Sequence, residues 1–490
     1  MKSFLLLLSL LAALCTAAEE TSIYRKPTPV AIRSEVDRAL AADWERNGIA
    51  VPHEASDCVL VRRLHLALAG RLPIPDEARA YVNSTAPDKY ETLIETLLNS
   101  DNFADYWTML WSDTLRIKSE FPINLWPNAV YGYQRRIRRF LKENEPYDRF
   151  ARSLLTAAGS NFRVPEANFY RATADRSAQG IAGVVALTFL GSRFETWPEA
   201  DRKKFSALFE PVAFKSTKEW KEEIVYWRET PDISDPQTAA AEAVLSHPDF
   251  ARALVNRVWF RFFGRGIVHE ADDLRPDNLP VNPELLELLA RKFRESGYDF
   301  RLLCRTIAES AACRAASGNG DERAERHFAA FAVRRLPAEV LDDAIRDLTG
   351  VPGSYSSVIP EPFTFLPAEA RTVTLADGSI SSSFLILFGR PARDSGKLSE
   401  RSDLITDKQR LQLFNSGEIY RKLGKIQQGS ALKPLPRKVE ELYWLFYSRP
   451  PTVGEKLTIQ TALKNTKKRW RFPQDLSWIL LNSKEFLHQH

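Results

Sequence analysis

NRVWFRFFGRGIVHEADDL (residues 256–274), followed by PVNPELLELLARKF (residues 280–293), is the stretch from which the fold can be read. Leu254, Val258, Trp259, Phe262 and Phe263 recur at helical spacing, so one helix face is aromatic and apolar while Arg252, Arg257 and Arg261 point elsewhere. Gly264 and Gly266 flank Arg265 and end that periodicity, as glycines do where the backbone leaves a helix through positive φ. Asn282 stands directly before Pro283, with Glu284 and Glu287 in the first turns. That pattern starts a helix by side-chain capping, a proline at the first helical position and the helix dipole together. A core helix, a turn and a capped helix predict a mainly α protein.

Composition sets the bounds around this stretch. A chain of 490 residues, 44% hydrophobic and 11% aromatic, can bury two or three substantial cores and is not disordered. Its 68 basic and 63 acidic residues leave a formal charge of +5, a mixed surface that does not point to nucleic acid. The basic runs YQRRIRRF (residues 133–140) and KNTKKRWRF (residues 464–472) read first as solvated helix faces.

Lys2, an apolar run from Phe4 to Leu14 and the small residues Thr16-Ala17-Ala18 predict a secretory signal over residues 1–18, cleaved before Glu19. The run is shorter than the ~20 apolar residues a spanning helix needs, and no longer run follows, so no membrane span is expected after cleavage. Cys58, Cys304 and Cys313 would remain. On one shared helix Cys304 and Cys313 would lie roughly 13 Å apart, beyond disulfide reach. A bridge from one of them to Cys58 and three buried thiols are both open.

The chain also carries an internal repeat. A helix ending at Ala69-Gly70 leads into Arg71, Pro73 and Glu77, then a further helix and the corner LLNSDNF. Near the other end Arg449, Pro451 and Glu455 match in order and spacing, and the unit closes in LLNSKEF. LFNSGEI at Leu413 and VLSHPDF at Val244 are looser versions of the corner. In LLNS, Asn99 suits a left-handed residue after the helix and Ser100 the cap of the next. Two further segments are read locally. EWKEEIVYW (residues 219–227) predicts one helix, and RTVTLADGSISSSFLILFG (residues 371–389) predicts a β-hairpin around Asp377-Gly378. Arg334, Arg335, Glu339, Asp342 and Asp343 are expected to form a solvated charged face.

Chemistry-bearing motifs are sparse. Of the seven histidines, His488 and His490 lie at the extreme tail and the other five show no metal spacing such as H-E-x-x-H or H-x-H, and no G-x-S-x-G, phosphate loop or dinucleotide fingerprint occurs. No metal site and no cofactor are expected. The best acidic group is Glu270, Asp272 and Asp273 beside His269, after the Gly-Arg-Gly turn. Carboxylates there can serve as acid and base, or cap a helix and pair with neighbouring arginines. Arg257, Arg265, Arg390 and Arg401 recur in motif-like surroundings. Their guanidinium forks suit sulfate, carboxylate or phosphate, and equally suit a buried network stitching loops to helices.

ADWERNGIAVPHEASDCVLVRRL, AGRLP, YWTMLWSDTLR, FPINLWPNAV, NEPYDRFARSLLTAAGSNFR and NFYRA resemble the first of two paired domains in secreted planctomycetal and verrucomicrobial proteins. NRVWFRFFGRGIV, PVNPELLELLA, RRLPAEVLDDAIRDLTG, FGRPARDSGKLSER, SRPPTVGE and LLNSKEFL resemble the second. Both are domains of unknown function, often found beside a cytochrome-c-like domain and near sulfatase genes, so the resemblance implies no activity. Many such relatives carry Cys-x-x-Cys-His after the run corresponding to VVALTFLG. Here Thr196, Glu199 and Ala200 stand in those places, so neither thioether nor axial imidazole for haem can form there. Relatives also show Cys-x-Cys-Glu-Arg where this chain has Lys397-Leu398-Ser399-Glu400-Arg401.

The expected organisation is a signal peptide over residues 1–18, a helical domain over 30–194, an interdomain segment over 195–235 and a second helical domain over 236–490 containing the small β-hairpin. The expected role is secreted or periplasmic binding or assembly linked to glycan handling, with envelope proteins or polysaccharide as candidate partners. A hydrolase of an extracellular polysaccharide or ester using Glu270, Asp272 and Asp273 is the first alternative. An electron-transfer relative that has lost its haem motif is the second.

Overall fold

The computed structural model describes residues 23–217, 222–229, 234–318, 320–361, 363–364, 366, 369–426, 435–466 and 469–490; the expected signal peptide lies outside them. The protein is 57% helical with 7% strand in small sheets. Among the described residues no helix is long and apolar enough to cross a membrane. The opening stretch folds as its periodicity requires. Asp249–Phe263 is a helix burying Leu254, Val258, Trp259, Phe262 and Phe263, and Gly264 closes it in left-handed backbone at φ 72°. Asn282 caps the helix Pro283–Glu295 by accepting from the Leu285 N–H.

The repeat is realised in its helices, its Arg-Glu turn and its serine-capped corner. The helices Asp57–Ala69, Pro75–Asn83 and Lys89–Leu98 are matched by Leu435–Tyr447, Val453–Asn465 and Phe472–Leu481. Gly70 and Ser448, at equivalent places, both take left-handed backbone, with φ 57° and 60°. Arg71 grips Glu77 with two hydrogen bonds of 2.7 Å, and Arg449 grips Glu455 with two of 2.8 Å. Each glutamate also accepts a backbone N–H at its helix start, from Ile74 or from Thr452. Bidentate pairing between the arginine after one helix and the glutamate inside the next fixes the angle of the turn. Ser100 and Ser483 cap the following helices by accepting from Phe103 and Phe486. Asn99 does not take the left-handed conformation expected of it. It stays right-handed at φ −88°, because Ser100 turns the chain in extended backbone instead.

Three other expectations are corrected. The described part of EWKEEIVYW is a strand, Glu223–Trp227, between Val212–Ser216 and Gly159–Ser160 in a three-stranded antiparallel sheet. Its Ile-Val-Tyr-Trp run suits a pleated surface, and Val225 is fully buried there. The residues around Asp377-Gly378 form no hairpin; a short 3-10 turn at Thr372–Thr374 precedes them and a helix at Ser383–Leu387 follows. Asp377 instead accepts from the N–H of Ser119 and of Ser379 and from the Ser119 hydroxyl, while the Gly378 N–H reaches Ile117 O at 3.0 Å. The turn signal is spent on holding a distant loop. The presumed charged face is also interior: Glu339 and Asp343 are fully buried and Arg335 nearly so.

Buried residues from Val30 to Phe486 form one continuous apolar cluster, so residues 30–194 and 236–490 share a core. Trp111 anchors it, edge-on to Phe140 and Phe150 at about 6 Å. Two buried arginines tie the halves of the chain together through backbone carbonyls. Arg62 donates to Phe446 O and Phe486 O, both at 2.9 Å, and Arg63 to Cys313 O and Ala315 O at 2.6 and 2.7 Å. Cys58, Cys304 and Cys313 are free thiols, Cys304 and Cys313 buried on separate helices.

Replacing Arg62 with Met keeps the bulk but orphans the Phe446 and Phe486 carbonyls. Urea unfolding should show a loss on the order of 3 kcal/mol with little change in helical circular dichroism; an unchanged midpoint would contradict the tie.

Candidate functional site

The loop after the helix Ser383–Leu387 folds back on itself at two glycines. Gly389 (φ 78°) carries the carbonyl that accepts from Ser402 N–H, and a Cβ there would lie 2.1 Å from Ser402 O. Gly396 (φ 78°) leaves no room for a Cβ against Thr114 O. Glu400 holds the loop from inside by accepting from the N–H of Asp394 and Ser395. Arg390, Arg393 and Arg401 thereby converge beneath it.

These three guanidiniums share two carboxylates. Arg401 contacts Asp113 at 2.8 and 3.1 Å and Glu339 at 2.6 and 3.0 Å. Arg393 reaches Asp113 at 3.0 Å, and Arg390 lies 3.4 Å from Glu339. Burial pushes the Glu339 pKa up, but the charge and hydrogen bonds of Arg401 outweigh it and hold the carboxyl well below its ordinary value. Burial pushes Arg401 down, and Asp113 and Glu339 more than reverse that. Arg390, without a full fork, is pushed down to about 10 by burial.

Above this cluster opens a cavity of about 500 Å3. Its charged wall contains Arg261, Arg334, Arg335 and Arg401; Tyr106, Leu66, Leu110, Phe260 and Val340 line the apolar side. Arg334 caps the helix Asp249–Phe263 by donating to Arg261 O and Phe262 O at 2.7 and 2.6 Å, a cation at the negative end of the dipole. Arg335 donates to Leu336 O, Phe388 O and Ser402 O. The Arg261 guanidinium makes no hydrogen bond or ion pair among the described residues, and burial pushes it down to about 10, so it stays charged at neutral pH. His269 and Glu270 stand at the rim, with Nε2 and Oε1 3.4 Å apart. Burial, then the Arg265 charge, lowers the His269 pKa.

The residues singled out in the sequence separate into two groups. Glu270 and Arg401 line the cavity. Asp272 is buried, paired with Arg257 at 2.9 Å and accepting from the Leu398 N–H. Asp273 pairs with Arg275 at 3.1 Å. Arg257 also donates to Thr188 O and Leu187 O, and Arg390 donates to Ile380 O. Arg265 is half-buried beside Arg326 and Glu270. Among the described residues no three of His, Cys, Asp and Glu gather as a metal site. At the place of the relatives' Cys-x-x-Cys-His, Trp197 packs between Phe194 and Phe205 and donates to Ser192.

The sequence does not mark Tyr106 or Arg261 as site residues, and it places Arg334 and Arg335 on a solvated face rather than in a cavity wall. One signal existed for Arg261. Its helical neighbours at three and four residues are Arg257, Val258, Gly264 and Arg265, so no acid on its own helix can pair with it.

Residues 35–188 match the PSCyt2 family, described as a protein of unknown function (DUF1549), and residues 239–463 match the PSD1 family, described as a protein of unknown function (DUF1553). No curated protein and no solved structure matches the chain.

Glu339 titrates below its ordinary value of 4.5, so its contribution to stability is present above that pH and is lost as pH falls through the folded-state value. Glu339→Gln should cost about 3–5 kcal/mol at pH 7, since it strands buried arginine charge. Urea unfolding between pH 4.5 and 2 should then fall less steeply for the variant than for the native protein.

Proposed function

We propose that this chain, which belongs to the paired planctomycete cytochrome-associated families of unknown function, is a secreted or periplasmic binding protein that takes a saccharide-sized ligand in the Arg261 cavity. The observation that carries the reading is the cavity itself. About 500 Å3 falls within the range of small-molecule sites, roughly 300–1,000 Å3. Its wall combines an aromatic and aliphatic side with converging polar groups, the combination such sites use to hold a ring and fix its substituents. The buried Arg390, Arg393 and Arg401 cluster makes one side of that wall rigid, which lowers the ordering cost of binding.

The hydrolase reading is the weaker one. Of Glu270, Asp272 and Asp273, only Glu270 faces the cavity, while the other two are committed to Arg257 and Arg275. A lone carboxylate with His269 beside it can orient a hydroxyl without any bond being cleaved.

Ser399 is exposed at the cavity lining, so Ser399→Trp should fill the space without touching the core. Calorimetric titration with an oligosaccharide panel should give saturable binding to the native protein and none to the variant, at equal melting temperature. Equal binding by both would remove the cavity from the reading. Secretion predicts a mature protein beginning at Glu19, which N-terminal sequencing of the exported form would check.

A further inference from the structure

We infer that the ligand enters this cavity by an oxyanion, a sulfate or carboxylate substituent, docked between the Arg261 guanidinium and the Tyr106 hydroxyl. The inference rests on the cavity reading above and deepens it from shape to chemistry.

Two donors carry the argument. Arg334, Arg335 and Arg401 are all engaged by carbonyls or carboxylates, and Arg261 alone of the four arginines in the wall has no partner among the described residues. Tyr106 is 6% exposed, yet its hydroxyl makes no hydrogen bond among the described residues either. Arg261 is partly exposed, and both groups open onto the cavity without a partner from the described residues, so an acceptor on a ligand can reach them. Both groups line the same cavity, within electrostatic reach of one another.

The two buried carboxylates of the neighbouring cluster are already taken. Asp113, the strongest attractive charge acting on Arg261, is already gripped by Arg393 and Arg401. Glu339 is gripped by Arg401 and Arg390. Three cations over two anions leave the floor of the cavity positive, and Arg261 adds to it. An incoming oxyanion would accept from the fork of Arg261 and from the Tyr106 hydroxyl, as two-oxygen groups do with arginine. The rim has the opposite character: Glu270 and Asp403 are exposed acceptors. They repel a second anion and suit ligand hydroxyls, so the ligand lies with its acidic group inward and its neutral hydroxyls outward.

The test uses the full chain with four probes: sodium sulfate, a sulfated monosaccharide, a uronic acid and the neutral parent sugar. The native protein should bind a sulfated or carboxylated sugar about tenfold tighter than the neutral parent, one charge-assisted contact's worth. Arg261→Gln should abolish that preference and leave neutral-sugar binding intact, and Tyr106→Phe should reduce the preference severalfold. Whichever acid gives the larger preference identifies the substituent. Equal affinity of native protein for acidic and neutral sugars, or a preference that survives Arg261→Gln, overturns the oxyanion inference while leaving the cavity reading in place. Sulfate alone raising the melting temperature of native protein but not of Arg261→Gln, with no sugar bound, would uphold the oxyanion site and overturn the saccharide reading. If Arg261→Gln fails to fold, Tyr106→Phe, which removes one oxygen, decides by the same comparison.

Discussion

Burying a charge is tolerable only when an opposite charge and hydrogen bonds are brought to it, and this fold is arranged around bringing the Asp113 and Glu339 carboxylates to Arg390, Arg393 and Arg401. Asp113 comes from the helix Asp101–Thr114 and Glu339 from the helix Ala338–Thr349, far apart in sequence. The arginines come from a third segment, folded back by Gly389 and Gly396. Removing any one member would strand the others, so the loop, the two helices and the cavity wall they form must assemble together. Excess positive charge at this junction then sets what the cavity can accept.

The repeated helical unit shows the same economy at lower stakes. Arg71 with Glu77 and Arg449 with Glu455 build one turn twice, down to the backbone acceptor after each arginine, Leu72 O in one and Pro450 O in the other. The surroundings differ. Glu77 also meets His65, whereas Arg449 is gripped a second time by Glu485, which in turn accepts from Tyr24. A local device has been reused, and each copy is tied into the shared core by different neighbours.

Much of the fold was legible before any coordinates. The aromatic helix ending at Gly264, the Asn282 cap and the serine caps at Ser100 and Ser483 follow from spacing and from side chains that bond within three residues. The misread segments share a cause. Ile224–Trp227 lacks a strong helical or alternating signature, so the neighbouring strands decided its state. Asp377-Gly378 looks like a hairpin turn, but its carboxylate was claimed by Ser119. The candidate site was less legible. Glu270 and Arg401 face the cavity, yet Asp272, Asp273, Arg257 and Arg390 carry the same chemistry and are consumed by the interior.

What the sequence settled by itself is therefore whatever depends on neighbours within a few turns: a mainly helical chain, its caps and breaks, the doubled Arg-Glu turn and the family. Which arginine is paired and which is free was decided only by tertiary structure. The carboxylates that neutralise Arg401 lie 62 and 288 positions away, and the space left beside Arg261 exists only because distant segments meet around it. Local spacing fixes backbone geometry, whereas burial and charge pairing are properties of the packed whole.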